Sequence, residues 1–330
     1  MEHFYYLSLK IFGFFVRLLP VHAALALGRL IGVVVYYFDI RHKQLASANL
    51  KVAFSRSKSQ NEIKRITKKF FQNYGQNLIE FFRLPLMNRE KFDQLIPMEG
   101  REHITAALKK NKGVILLAMH FGSWELASLS CAMMEHPYKV IVNPQKRHSK
   151  LDELLNSYRA CSGNIVLSRG FGTREMVKSL QNNEIIGLVV DQGGRDGVLV
   201  PFFDRQASMS VGAIRLGLKF DVPICFSIII REKGHYHRLV IHPPLELVNT
   251  GDTEQDILAN LKKIVAIMEG YIKQYPAEYM WFYKIWKYSK ESTIVVLDDG
   301  RTGHLRQSQA IANILQSALI DRGIQSTPRL

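Results

Sequence analysis

Residues 4–38 constrain the fold more than any other part of the sequence, because this stretch is almost wholly apolar. Its formal charges are those of Lys10, Arg17 and Arg29. Pro20 divides it into two segments, and the second, residues 21–38, approaches the roughly 20 apolar residues that span a bilayer. An arginine near the middle of a span costs about 2.5–3.5 kcal/mol, so a monotopic arrangement with snorkelling cations competes with a transmembrane one. No small-residue cleavage site follows, which predicts that the segment is retained.

Basic residues follow the apolar stretch at high density. They are Arg41, Lys43, Lys51, Arg56, Lys58, Lys64, Arg65, Lys68 and Lys69. The chain has 44 lysines and arginines against 29 aspartates and glutamates, a net charge of +15, which favours a polyanionic partner. A polybasic segment beside an apolar anchor is typical of the cytoplasmic face of an anionic membrane. We therefore predict that residues 1–40 anchor the chain to a membrane. The alternative is a buried apolar hairpin followed by a solvated basic helix.

Several classes of protein are disfavoured by the composition. The three cysteines are scattered, at Cys131, Cys161 and Cys225. This spacing argues against a disulfide framework and a thiolate zinc site, and indicates a reducing compartment. His235, His237 and His242 lie close together in the sequence, but we identify no further ligands and predict no metal site. No known nucleic-acid module is apparent, and the basic cluster adjoins the apolar anchor, so we expect no nucleic-acid partner.

Short apolar runs alternate with segments of helical period from residue 60 onward. The predicted strands are 113–119, 139–142, 165–167, 184–190, 224–230 and 237–242, the last of them an edge strand. The predicted helices are 60–83, 124–134, 151–160, 174–181, 213–218 and 256–275. This alternation predicts an α/β fold with a mixed, mainly parallel sheet flanked by helices. In such sheets the functional loops lie at the carboxyl ends of the strands.

The loop after the first predicted strand carries candidate catalytic groups, in the sequence HFGSWE. His120 emerges at the carboxyl end of the strand, and Gly122 allows a tight turn. Glu125 falls in the first turn of the following helix, where the helix dipole favours a carboxylate. We predict that the turn brings Glu125 against one imidazole nitrogen, which leaves the other nitrogen as a general base. The alternative is a structural histidine and a capping carboxylate.

The HFGSWE box resembles the H-x4-D/E box of lysophospholipid-type acyltransferases. More narrowly, it is similar to the N-H-F-G-x-W-E signature of the lipid A biosynthesis (lauroyl/myristoyl) acyltransferase family, with Met119 where that family often has Asn. Other stretches agree with the family in order, namely Arg41, Asn49-Leu50, Ala53-Phe54, Phe71, Gly75, Glu80, Arg159, Gly163, Asp191-Gln192, residues 200–203, Ala207 and residues 281–287. The resemblance covers roughly residues 1–290.

The resemblance implies a glycerolipid-acyltransferase-like fold and an acyl transfer reaction. The acyl chain would arrive as a thioester on acyl carrier protein or coenzyme A, and no other cofactor is implied. His120, oriented by Glu125, would remove the proton from an acceptor hydroxyl, whose oxygen attacks the thioester carbonyl. Backbone N–H groups of Gly122 and Ser123, or the guanidinium of Arg159, would stabilise the oxyanion. Arg159 is equally compatible with a solvated salt bridge.

A glycine-rich loop, DQGGRDG, follows the predicted strand 184–190. Its glycines let the backbone approach a ligand closely. We predict that Asp191, Gln192 and Arg195 contact a phosphate or a sugar of the substrate, and a plain turn is the alternative.

The acceptor that the resemblance implies is a lipid A precursor or a similar phosphorylated glycolipid, whose phosphates suit the basic surface. A lysophospholipid or phosphatidylinositol mannoside acceptor stays open, as does a non-catalytic protein that binds membranes through its basic face. The expected location is the inner membrane, with a catalytic domain of residues 41–290 facing the cytoplasm.

Residues 293–330 form a separate predicted unit after a polar linker. The pattern predicts a strand at 293–297, a glycine loop at 298–304 and a helix at 307–322, an arrangement that favours phosphate binding. The unit resembles the opening of glycosyltransferase-like proteins of the mitochondrial-fission-factor type, which carry a D-G-x-x-G-H loop. The alternative is a strand–helix addition to the preceding domain. We assign this unit no activity.

Overall fold

The computed structural model describes residues 2–133, 138–142, 149–161, 163–168, 172–298, 300–322 and 324–329. Its α-helices are α1 (Glu2–Leu18), α2 (Val21–Phe38), α3 (Ile40–Phe54), α4 (Gln60–Arg83), α5 (Arg89–Leu95), α6 (Arg101–Leu108), α7 (Trp124–Ala132), α8 (Ser149–Ala160), α9 (Gly172–Gln181), α10 (Gly212–Phe220), α11 (Thr253–Gln274) and α12 (Thr302–Ile320). Its strands are β1 (Met98–Glu99), β2 (Val114–Ala118), β3 (Tyr138–Val142), β4 (Ile165–Ser168), β5 (Ile185–Val189), β6 (Val198–Phe202), β7 (Arg205–Met209), β8 (Ile224–Lys233), β9 (Tyr236–Pro244), β10 (Glu291–Val295) and β11 (Gln325–Arg329).

The predicted α/β fold is confirmed, and so is its mainly parallel sheet. Within the described ranges, seven strands form one sheet in the order β1-β9-β8-β2-β5-β3-β4. Neighbouring strands are parallel except β8 and β9, which are antiparallel. The predicted helices and strands are found, helix 60–83 with its predicted ends and the others with shifted ends. The end of predicted helix 124–134 lies outside the described residues.

The strand predicted at 237–242 is found as β9, but its predicted place at the edge of the sheet is wrong. β9 lies between β8 and β1, because Met98 and Glu99 of β1 pair with Leu239 and Val240. A strand of two residues is too short to produce a periodic pattern, so the sequence gives no sign of it.

The hairpin of β6 and β7 was also not predicted. Its turn residues, Phe203 and Asp204, have φ angles of 49° and 60°. Hairpin turns with two positive φ angles usually carry an Asn-Gly pair instead of these two residues.

The parallel register brings two loops together at the carboxyl edge of the sheet. Ala118, the last residue of β2, pairs with Val189, the last residue of β5. The chain therefore leaves the two neighbouring strands at the same height, and the residues that follow them, His120 and Asp191, lie side by side.

Helix α4 is the central helix of the N-terminal half. It begins with a capping box, in which the Ser59 side chain accepts from the Glu62 backbone and the Glu62 carboxylate accepts from the Ser59 backbone. One face buries an aromatic row that includes Phe70, Phe71 and Phe82. Each such buried phenylalanine contributes about 1.5–3 kcal/mol. Packing rather than helix propensity therefore fixes α4 against the sheet domain.

Helix α2 packs along α4 with the two backbones in direct contact, because glycines occupy the contact positions. A Cβ atom at Gly75 would lie 2.1 Å from the Gly28 carbonyl oxygen, and one at Gly32 would lie 2.2 Å from that of Phe71. Small residues permit such close approach of two helices. The helix is long and apolar enough to cross a membrane by length and composition, and 28% of it is buried against the rest of the chain.

Helix α1 is held at its carboxyl end by a charged side chain of α4. One guanidinium nitrogen of Arg83 donates to the carbonyls of Val16 and Leu19, at 2.7 and 2.8 Å. These carbonyls have no partner within the helix, so the arginine completes the end of α1. The outer faces of α1 and α2 expose large apolar side chains, namely Phe4, Tyr5, Leu7, Ile11, Phe14, Phe15, Leu18, Leu30, Val34, Val35, Tyr37 and Phe38.

The last described segment is a small β–α–β unit. β10 and β11 pair in parallel and α12 connects them. The predicted strand and helix are found here, and Asp299 of the predicted glycine loop lies outside the described residues. The likeness of this unit to a glycosyltransferase stays a prediction.

Candidate active site

His120 lies just beyond the carboxyl end of β2, with 19% of its side chain exposed. Its ring meets Trp124 edge-on, with 5.5 Å between the ring centroids. The imidazole is therefore held between the sheet edge and the first turn of α7, as the sequence predicted for its position.

The partner of His120 is Asp191 rather than Glu125. The Nδ1 atom of His120 lies 2.9 Å from Oδ1 of Asp191, and the His120 backbone N–H donates to Oδ2 at 3.1 Å. The Asp191 side chain is only 2% exposed. The prediction that Glu125 binds the ring is wrong, because β5 delivers a carboxylate beside His120 from the neighbouring strand. Sequence spacing along one loop cannot reveal that neighbour.

Burial and neighbouring charges shift the pKa of His120 in opposite directions. Burial lowers the pKa of the imidazole, whereas the carboxylates of Asp191 and Glu125 raise it, and the net pKa lies above the ordinary value. Asp191 holds Nδ1, and among the described residues no group forms a hydrogen bond with Nε2. The ring therefore has one oriented nitrogen and one nitrogen free to exchange a proton.

Glu125 pairs with Arg159 of α8. The Arg159 Nη2 atom lies 2.7 Å from Oε1 of Glu125, and Nε donates to both carboxylate oxygens at 3.0 and 3.1 Å. The two side chains are 17% and 19% exposed, so the pair is largely withdrawn from water. Arg159 also lies over the ring of Phe81, at 5.5 Å. Such a bidentate, stacked geometry needs the planar guanidinium, and a lysine side chain cannot reproduce it.

Gly122 adopts a left-handed conformation and makes two backbone hydrogen bonds. Its φ angle is 55°, and a Cβ atom there would lie 2.5 Å from the Ile229 carbonyl oxygen. Its N–H donates to the Glu278 carbonyl at 2.9 Å, and its carbonyl accepts from the Asn77 side chain at 2.6 Å. The predicted role of the Gly122 N–H as an oxyanion donor is therefore wrong, because that donor is already used. Ser123 is buried at the start of α7.

A buried polar network supports this loop from behind. Arg231 of β8 donates to the Asn77 side-chain oxygen at 2.6 Å and to Oε2 of Glu80 at 2.7 Å. Arg231 and Glu80 are each 8% exposed. The Nε2 atom of His237 lies 3.5 Å from Glu80, and burial lowers the pKa of His237 to about 4. Through Asn77 the network fixes the carbonyl of Gly122.

Two cavities meet at the Glu125–Arg159 pair. One, of about 270 Å³, opens beside His120 and extends over the apolar surface of β2, β3, β5 and β8. The other, of about 230 Å³, lies between α4, α7 and α8. Trp124, Glu125, Leu155 and Arg159 line both cavities. The Glu125–Arg159 ion pair therefore lies in the wall that the two cavities share.

The glycine-rich loop contributes unequally to the site. Asp191 binds His120, and Gln192 lines the cavity beside it. Arg195 is exposed and lies outside the described lining of that cavity. The structure therefore brings together His120, Gly122, Ser123, Glu125, Arg159, Asp191 and Gln192. It does not bring Arg195 to them.

Sequence reasoning missed the supporting residues Asn77 and Arg231. The one available signal was polar character on otherwise buried faces, since Asn77 falls among the apolar positions of helix 60–83 and Arg231 ends an apolar strand. Taken together, the site offers an oriented imidazole and a fixed cation that line one cavity, together with apolar side chains of the sheet. Such an arrangement can deprotonate a hydroxyl and stabilise a developing negative charge.

Comparison with known proteins assigns the chain to a family. The sequence profile of the bacterial lipid A biosynthesis acyltransferase family matches residues 3–288, and the chain belongs to this family.

Individual relatives include the lipid A biosynthesis lauroyltransferase of Escherichia coli (strain K12), which is 26% identical over 274 residues, 82% of this chain and 87% of that protein. The lipid A biosynthesis palmitoleoyltransferase of the same organism is 23% identical over 273 residues, 82% of this chain and 86% of that protein. A phosphatidylinositol mannoside acyltransferase of Mycobacterium tuberculosis (strain CDC 1551 / Oshkosh) is 28% identical over 155 residues. That match spans 45% of this chain and about half, 49%, of the mycobacterial protein.

Proposed function

We propose that the protein is a membrane-bound O-acyltransferase that moves a fatty acyl chain from an acyl thioester to a hydroxyl of a lipid A precursor or a similar phosphoglycolipid. The donor is a thioester of acyl carrier protein or coenzyme A. The single observation that carries this proposal is the His120–Asp191 pair in a cavity that is also lined by Arg159 and by apolar side chains of the sheet. Membership of the family supports the reaction class.

In the proposed reaction, Asp191 holds Nδ1 of His120, and Nε2 removes the proton from the acceptor hydroxyl. The oxygen attacks the thioester carbonyl carbon, and the carbonyl oxygen becomes an oxyanion. Arg159, already held by Glu125, stabilises that charge in this proposal. The carbon–sulfur bond then breaks, and the leaving thiolate takes the proton from the His120 imidazolium. The ester forms, and the site returns to its starting state.

The N-terminal helices support a monotopic attachment to the membrane. A helix that crosses the bilayer alone exposes its whole circumference to lipid, whereas α2 lies along α4 at backbone contact. The apolar side chains of α1 and α2 instead form an outer face suited to the headgroup boundary. The basic residues of α3 and α4 would face anionic headgroups from the cytoplasmic side of the inner membrane.

The reaction can be tested in a bacterium that lacks its late lipid A acyltransferases. We expect the extracted lipid A to gain the mass of one acyl chain when the protein is expressed, and to gain none with His120→Ala. No gain from a membrane-associated wild-type protein would contradict the lipid A acceptor. Equal gain from the variant would contradict His120 as the base.

The mycobacterial relative gives a second acceptor a specific basis, because its name assigns it phosphatidylinositol mannoside. The same purified protein can be offered that glycolipid and a lipid A precursor in parallel. Transfer to the mannoside alone would replace the lipid A proposal and keep the reaction.

The mode of membrane attachment can be tested by sedimentation with anionic vesicles. Phe14 and Phe15 are 53% and 60% exposed on α1, and their joint replacement by aspartate should reduce binding. Ile314→Asp on α12 is the matched control, because Ile314 is 71% exposed but lies far along the chain from α1 and α2. Equal loss of binding in both variants would contradict a membrane face on α1.

A further inference from the structure

The cavity beside His120 extends along the sheet in rows set by the strand register. Ala118 and Val189 pair in the row nearest His120. Leu116, Gly187 and Val140 form the next row inward. These residues all line the cavity. Rows two residues apart are separated by about 7 Å along the strands.

The third row closes the cavity. Its members are Val114, Ile185 and Tyr138, by the same register. Tyr138 lines the cavity, whereas Val114 and Ile185 lie outside its lining. The tyrosine is 5% exposed, so its ring is fully enclosed.

A glycine in the second row makes room for this ring. A Cβ atom at Gly187 would lie 1.9 Å from the Tyr138 hydroxyl oxygen and 2.6 Å from the adjacent ring carbon. The ring therefore leans from the third row toward His120 and occupies the space that a side chain at position 187 would fill. Position 187 accepts no side chain while the tyrosine holds this place.

From this geometry we infer that Tyr138, seated against Gly187, forms the floor of the acyl-chain pocket and sets the length of the chain that is transferred. The inference rests on the proposed acyl transfer and adds a specificity-determining residue to it. A chain whose terminal methyl meets the ring fits the cavity. A longer chain has to displace an enclosed aromatic side chain, which packs at crystal-like density with its neighbours.

The test is a chain-length profile with purified protein and a series of saturated acyl thioesters of increasing length. Tyr138→Ala deepens the cavity, so the ratio of kcat/KM for a longer donor to that for the wild-type optimum should rise at least about tenfold. This is the lower range of discrimination that one methylene gives in an apolar pocket. Tyr138→Phe keeps the ring and should retain the wild-type profile.

Gly187→Ala provides an independent change at the same contact. Its methyl group overlaps the Tyr138 hydroxyl, so it should displace the ring and move the profile away from the wild-type optimum. In the Tyr138→Ala background the methyl group added by Gly187→Ala has room, so the double variant should fold. The double variant should prefer shorter donors than the Tyr138→Ala single variant does. Phe92→Ala is the matched control for a loosened core, because Phe92 is buried in the same apolar cluster and does not line the cavity.

An unchanged profile in folded Tyr138→Ala and in the double variant would overturn the inference and leave the acyl transfer intact. A shift of equal size in Phe92→Ala would also overturn it, since general loosening would then explain the result. Absence of transfer by the wild-type protein from every donor would instead overturn the proposed function, and the inference with it.

Discussion

Oδ1 of Asp191 lies 2.9 Å from Nδ1 of His120, although 71 residues separate the two in the chain. The contact exists because β2 and β5 are parallel neighbours that end at the same height. It fixes the tautomer of the imidazole and, among the described residues, leaves Nε2 without a hydrogen bond. Glu125, which the motif suggested for this role, is engaged by Arg159 instead.

Replacement of Asp191 by asparagine should lower kcat about 10²- to 10⁴-fold, the range that a positioned general base contributes. The imidazole must be neutral to accept a proton, and its pKa is raised above the ordinary value near 6.5. Wild-type activity should therefore fall as the pH drops through that raised pKa. Without the carboxylate, burial lowers the pKa, so the acidic limb of the variant's pH–rate profile should move to lower pH. A limb that stays in place would contradict the role of Asp191.

Replacement of Arg159 by lysine should reduce kcat about 10²- to 10³-fold, as for loss of one oxyanion donor, with little change in KM. Lysine keeps the charge but cannot form the bidentate pair with Glu125. The measurement is steady-state kinetics at saturating donor. Lys273→Arg is the control, because Lys273 is 58% exposed in a surface pair and should leave both constants unchanged. A purely raised KM in Arg159→Lys would assign the residue to binding.

Replacement of Arg231 by methionine should destabilise the fold by about 3–5 kcal/mol, because Glu80 is left buried without its partner. Urea unfolding measures the change. Arg56→Ala removes a pair with Asp204 whose side chains are 87% and 81% exposed, and should cost about 1 kcal/mol or less. A similar loss in both variants would mean that the buried network does not support the loop.

Replacement of Gly75 by alanine should destabilise the protein by about 1–3 kcal/mol, because the methyl group meets the backbone of α2. Gly270 is the matched control in α11, since nothing lies within 4 Å of a Cβ atom there. Gly270→Ala should stabilise by about 0.5–1 kcal/mol through helix propensity alone. Thermal unfolding of both variants gives the sign of each effect. Stabilisation by Gly75→Ala would exclude the close helix contact.

The sequence predicted the fold where the physical signal is local. Helix 60–83 has apolar residues at helical spacing, and strand 113–119 is a continuous apolar run after a turn, so both were found. The strand order was not predictable, because pairing depends on contacts between distant segments. For that reason the role of Asp191 was missed, although the residue itself was among the candidates.

Other features lack a local signal for different reasons. β1 has only two residues, and its pairing with β9 is visible in the structure alone. Asn77 and Arg231 are polar positions within apolar segments of the sequence, and their contact with each other is visible only in the structure. The left-handed turn at Phe203 and Asp204 contradicts the usual residue preference, so the hairpin of β6 and β7 escaped prediction.

Helix α4 carries both Gly75, against α2, and Asn77, which binds the carbonyl of Gly122. Two residues of helix separate these contacts by only about 3 Å along the axis. In the proposed arrangement, one rigid helix therefore fixes the height of His120 above the bilayer surface. A lipid hydroxyl at that depth can react while its acyl chains stay in the membrane, and hydroxyls at other depths are excluded by distance rather than by recognition.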